Sequence, residues 1–96
     1  MIKVKLKKYK ISDGNMYTPN HYEILKTIDQ MKQWCRDSFG PGYDKSTKKW
    51  HWQSRMEIEM VHEEISNSYF YNAYMHFPVF YFTSEDEANW FLIRWG

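Results

Sequence analysis

Cysteine occurs once in this chain, at Cys35, so no disulfide can form within it and a metal site built on thiolates is not expected. A reducing compartment fits that count. No apolar run approaches the roughly 18 residues needed to span a bilayer, and the opening M-I-K-V-K-L-K-K is too charged for the apolar core of a signal peptide. The expected location is therefore the cytoplasm, with no membrane partner. Glycine is scarce, and its four positions read as turns and caps; no glycine-rich loop to cradle a phosphate is present. Four histidines occur, His21, His51, His62 and His76, but none pairs with another at ligand spacing on one element. His62-Glu63-Glu64 lacks the second histidine of a zinc-protease motif. No Ser/His/Asp set and no catalytic carboxylate pair can be read. The expectation is a protein without catalytic residues, metal or cofactor.

Aromatic residues are what the chain has in excess. They make up 20% of it, with five Trp, eight Tyr and six Phe. Large rings let a small domain fill its core with few residues, and Tyr and Trp are also enriched at binding surfaces. Charge is nearly balanced at +1 but unevenly spread. Residues 1–55 carry twelve Lys/Arg against five Asp/Glu, and residues 56–96 carry one against seven. Such asymmetry marks a basic binding face, or two halves that attract each other within the fold or between copies.

The clearest local signal lies at the end, from Met75 to Gly96. An apolar stretch is followed by Ser84 with Glu87 three residues on, a capping box, with Thr83 and Asp86 as a one-residue alternative. Glu85, Asp86 and Glu87 suit the positive end of a helix dipole, and Arg94 suits the negative end. Ala88, Phe91, Leu92 and Trp95 then form one apolar stripe, which places Trp90 on the outer face.

Earlier in the chain, residues 2–11 alternate Ile2, Val4, Leu6 with Lys3, Lys5, Lys7, the period of a half-buried strand whose lysines guard a sheet edge or offer a phosphate strip. Ser12-Asp13-Gly14-Asn15 is a turn cluster, and Thr18-Pro19-Asn20 can open a helix over about 20–39. Its inner stripe is Ile24, Ile28, Met31 and Cys35, flanked by Leu25 and Trp34, with Tyr22 turned away. Cys35 on that stripe reads as a small buried residue. Residues 40–48 form a loop. From Trp50 the pattern alternates again, Trp50, Trp52, Met56, Ile58 and Met60 against His51, Gln53, Arg55, Glu57 and Glu59. With a turn at Ser66-Asn67-Ser68, residues 50–64 and 69–82 make a long hairpin. Pro78 has no N–H to give a ladder, which argues for a bulge, for pairing only from Val79, or for irregular backbone over 69–76.

The order strand, helix, strand, strand, helix yields an α+β two-layer sandwich. Its three-stranded, mainly antiparallel sheet has both helices on one face, a ferredoxin-like pattern lacking the last strand. The other sheet face is then open, carrying Lys3, Lys5, Lys7, His51, Gln53 and Arg55. If Met75, Phe77, Val79 and Tyr81 point inward, Tyr74, His76, Phe80 and Phe82 line the open face; the opposite assignment exposes the first set. Two functions follow. One is binding to a protein partner, a second copy included, with Trp90 and Tyr22 as exposed aromatic contacts. The alternative is single-stranded nucleic acid held by Lys3, Lys5, Lys7, Arg55 and stacked aromatics, although the RNA-recognition signature is missing.

The ending F-T-S-E-D-E-A-N-W-F-L-I-R-W-G resembles that of small proteins of tailed bacteriophages, in which a short acidic-Ala segment precedes F-x-x-R-W-G. The resemblance covers about the last fifteen residues. It implies an accessory protein expressed in an infected bacterium, and such proteins often act by binding, for instance by inhibiting a host enzyme or a defence system. It implies no catalytic residue.

Overall fold

The computed structural model describes residues 1–12, 21–66 and 69–96, with the side chains of Ser12, His21, Asp44 and those of 61–66 and 69–74 excepted. The turn cluster at 13–15, the Thr18-Pro19-Asn20 start and the tip of the hairpin lie outside the described residues. The elements are β1 (Ile2–Lys5), a 3₁₀ turn (Lys7–Tyr9), β2 (Ile11–Ser12), α1 (His21–Phe39), β3 (Tyr43–Asp44), β4 (Lys49–Trp50), β5 (Trp52–Ser66), β6 (Tyr69–Phe82) and α2 (Glu85–Trp95). β6 is the central strand. β1 and β2 pair antiparallel with one of its edges and β5 pairs antiparallel with the other. The expected α+β sandwich is the fold: two helices against one antiparallel sheet, three strands across, with β6 in the middle.

Both helices stand where the sequence places them. α2 is capped as the sequence requires, the Glu87 backbone N–H donating to Ser84 Oγ at 3.3 Å. α1 ends where Gly40, at φ +85°, donates its N–H to the Arg36 carbonyl at 3.0 Å. That positive φ strains any side chain with a Cβ.

The core lies between the helices and the sheet. Val4, Leu6, Met31, Cys35, Trp52, Phe80, Phe82, Ala88, Phe91 and Trp95 form one buried cluster. Phe91 is its centre, with ring centroids 4.7 Å from Phe80, 5.1 Å from Phe82 and 6.0 Å from Trp34. The Trp52 indole N–H donates to the Gly40 carbonyl at 2.8 Å, which ties β5 to the end of α1.

Four expectations are corrected. The strand at 2–11 is not continuous. Pro78 sits in register with Met56 on one side, and its carbonyl accepts from the Leu6 N–H at 3.0 Å on the other. A residue with an N–H at 78 would donate back to the Leu6 carbonyl. Pro78 cannot, and that carbonyl accepts instead from the Tyr9 N–H of the 3₁₀ turn at 3.3 Å. The edge strand therefore breaks beside the proline, while β6 itself runs through it without a shift in pairing with β5. Second, Trp50 is not part of the long strand's inner face. It belongs to a small β3–β4 hairpin, half-exposed, its ring 4.9 Å from that of Tyr43. Third, Met56, Ile58 and Met60 share the helix side with Trp52 but are 38%, 60% and 63% exposed, because β5 runs on past the cover that α1 provides. Fourth, Leu92 is 41% exposed; α2 buries only Ala88, Phe91 and Trp95.

A strand of this length spans about 50 Å, and the molecule is correspondingly long, 55 by 24 by 23 Å.

Candidate functional site

The sheet face away from the helices is where a nucleic-acid platform was expected. Register places Lys3, Lys5, Met75, Phe77, Val79, Tyr81, Gln53, Arg55, Glu57 and Glu59 on that face. The basic and acidic residues come from the two flanking strands and meet over the middle one. Lys3 Nζ lies 2.5 Å from Glu57 Oε2, and Lys5 Nζ binds Glu59 and lies 3.5 Å from Glu57 Oε1. Lys5 also sits over the Phe77 ring at 4.8 Å, and Arg55 over the Tyr81 ring at 5.0 Å while bonding its hydroxyl at 2.6 Å.

These contacts form a lid of side chains over the apolar row. Met75, Phe77 and Val79 are buried beneath it, Val79 in register between Lys5 and Arg55. The stems of the long cations cover the apolar side chains while their heads pair with carboxylates. The hydrogen bond to Glu59 holds the Lys5 ammonium above its ordinary pKa, and the bond from Lys3 holds the Glu57 carboxyl below its own. Lys3 and Lys5 are therefore committed to Glu57 and Glu59 within the fold.

Of the two face assignments the sequence leaves open, the second holds, with Met75, Phe77, Val79 and Tyr81 on the outer face. Phe80 and Phe82 point to the helices and are fully buried, so neither can stack a base. Lys7 leaves the row, because it belongs to the 3₁₀ turn. His51 lies in the bend before β5, its backbone N–H donating to the Gly42 carbonyl at 2.8 Å, and not on the ladder. Of the proposed face, Arg55 stays the most exposed cation, its side chain 63% exposed and its guanidinium 3.9 Å from Glu57 Oε2.

The large exposed apolar side chains lie elsewhere. On α2, Trp90 is 63% and Ile93 86% exposed. They stand three residues apart, so they are neighbours on one outer face. Asp86, Asn89 and Arg94 are exposed around them. The position of Trp90 matches expectation. Ile93 was overlooked, although its spacing from Trp90 already placed it on the same outer face. Tyr22, at the start of α1, is 80% exposed.

Two recesses are lined by described residues. One of about 170 Å³ lies between α1 and β5, with Ile28, Lys32, Met56, Pro78 and Phe80 among its walls. The other, an open groove of about 380 Å³, runs between the helices past Trp34, Gln33, Arg94 and Trp95. The Trp95 indole N–H is buried beside it and meets no acceptor among the described residues. Cys35 is fully buried, and that burial pushes its thiol up to about 12, far from the thiolate a nucleophile needs. Among the described residues, no three His, Cys, Asp or Glu side chains converge to hold a metal, and no helix is long and apolar enough to cross a membrane.

No known protein family, curated protein or solved structure matches the chain.

Proposed function

We propose that this chain is a non-enzymatic, phage-encoded accessory protein that binds a bacterial host protein through the outer face of α2. One observation carries the reading: Trp90 and Ile93 stand together on solvent, ringed by polar side chains. Neither belongs to the buried core, so a partner can cover both without unpacking it, and a tryptophan at the centre of a polar ring is the usual anchor of a protein interface. The acidic first turn of the same helix, Glu85 to Glu87, adds a charged margin that would favour a basic partner surface. The bacteriophage-like ending supports the host setting, since it includes this helix. Nucleic acid is the weaker reading, because Lys3 and Lys5 are spent on Glu57 and Glu59.

The test is capture from bacterial lysate with the folded chain and with a Trp90→Ala/Ile93→Ser variant. The intact chain should retain one protein in stoichiometric amount. The variant should lose it while its melting curve changes little. Recovery of no partner by the folded chain, or equal capture by the variant, refutes the reading.

A further inference from the structure

The two edges of the sheet are built differently. The β1/β2 edge carries Lys3 and Lys5 and is broken by the 3₁₀ turn, devices that keep a sheet edge from pairing with another chain. The β5 edge has neither. Among the described residues β5 has one neighbour, β6, and its sequence W-Q-S-R-M-E-I-E-M-V-H-E-E-I-S contains no lysine and no proline. Its pairing shifts only near the tip, between Glu64 and Ser66. Along the same strand, Met56, Ile58 and Met60 stand exposed on the helix side.

We propose that a second copy of the chain pairs antiparallel along this edge, about a two-fold axis at Met56, to give one continuous sheet. The axis must keep the helices of both copies on one side, so residues facing each other share a face and the axis falls on a residue. Charge then selects which one. An axis at Arg55, Glu57 or Glu59 sets that residue against itself. An axis at Ile58 sets Glu57 against Glu59 twice, and one at Met60 sets Glu57 against Glu63 twice. An axis at Ser54 leaves Ile58 and Met60 beyond the β5 ladder, opposite Trp50 of β4 and Lys48.

Met56 as the centre places Arg55 opposite the Glu57 of the second copy, and Glu57 opposite its Arg55. It sets Gln53 against Glu59, Ser54 against Ile58, and Trp52 against Met60. Met56, Ile58 and Met60 each then gain a cross-strand neighbour, and the exposed Arg55 guanidinium, 3.9 Å from the Glu57 of its own chain, meets the Glu57 of the second copy as well. The pairing uses a different element from the α2 face, so it stands whether or not the host-protein reading does.

Sedimentation of the intact chain should give twice its 11.9 kDa mass, and Arg55→Glu, which sets like charges across the axis twice, should return it to the monomer with an unchanged far-UV spectrum. Register is read by cross-linking. Met56→Cys faces its own copy at the Cα separation of about 4.5–5.5 Å that a disulfide spans, so mild oxidation should give a covalent dimer, while Cys35 stays buried and inert. Met60→Cys faces Trp52 and should not cross-link. Trp90→Ala/Ile93→Ser should remain dimeric. A chain that sediments as a monomer at millimolar concentration, a dimer indifferent to Arg55→Glu, loss of the dimer on changing α2, or preferred cross-linking through Met60→Cys overturns the proposal.

Discussion

Neighbouring aromatics on α2, Trp90 and Phe91, should answer very differently to truncation. Phe91 is fully buried and touches Phe80, Phe82 and Trp34 at centroid distances of 4.7, 5.1 and 6.0 Å. Phe91→Ala removes the ring at the centre of the cluster and leaves a hole bounded by three other rings, which cannot all move in. A loss of about 3–5 kcal/mol follows. A 96-residue chain holds a total of about 5–14 kcal/mol at ordinary stability per residue. At the low end of that range the variant keeps almost no margin, and its melting point should fall by about 15 °C or more. Trp90 is the larger side chain, yet its ring stands mostly in water, so Trp90→Ala should cost less than about 1 kcal/mol. Guanidinium unfolding followed by far-UV circular dichroism gives both values without relying on tryptophan emission. Equal midpoint shifts for the two variants would refute the face assignment of α2 and the interface built on it.

Three further outcomes can be checked with simpler assays. Ser84→Ala removes the acceptor for the Glu87 N–H and should cost about 1 kcal/mol in a thermal melt. Because Glu57 is held below its ordinary value of 4.5 by Lys3, its contribution is present above that pH and is lost as pH falls through the lower folded value. Acidification below about pH 4.5 should thus destabilise the intact chain more steeply than Glu57→Gln; parallel acid profiles would show that the lid contributes nothing. The raised pKa of Lys5 has the opposite sign, its contribution persisting below 10.5 and fading only at more alkaline pH. A thiol reagent at pH 8 should label Cys35 only as fast as the chain unfolds, since the thiol is buried and pushed up to about 12; prompt labelling of the native protein would place Cys35 outside the core.

Local signals carried most of the architecture. The Ser84/Glu87 cap, the α1 stripe and the hairpin alternation each act over one turn or one pleat; the cap and the hairpin pairing appear where read, and of the stripe Ile28, Met31 and Cys35 are buried while Ile24 is half-buried. What escaped depends on how far an element reaches. Leu92 fits the helical stripe, but α2 covers only the first strand and the end of β6, and the flank of the stripe stays wet. Met56, Ile58 and Met60 fit the strand's inner face, yet α1 ends its cover near Met56. The outer sheet face was misjudged because alternation shows which residues share a face and not which partners meet across it. The split of charge between the halves of the chain did contain the answer. Lys3 and Lys5 come from the basic half, Glu57 and Glu59 from the acidic half, and the fold lays one against the other.

The 3₁₀ turn beside Pro78 also changes the arithmetic of the first strand. In β1, partner residues on β6 sum to 84, so the even positions Ile2 and Val4 face the helices. In β2 they sum to 87, so the odd-numbered Ile11 faces them instead, and it is buried. Three residues looped out have exchanged the two faces. Without that exchange Ile11 would stand among the lysines and the far end of the helix side would be left bare. Sliding β1 along β6 by one residue would turn Ile2 and Val4 outward. Sliding it by two would carry the Leu6 carbonyl away from the Tyr9 N–H geometry and set another carbonyl against a nitrogen that has nothing to give, at about 1–3 kcal/mol for the unmet group. The proline thus acts as an index mark: it admits the amino-terminal segment to the hairpin in one alignment and rejects its neighbours.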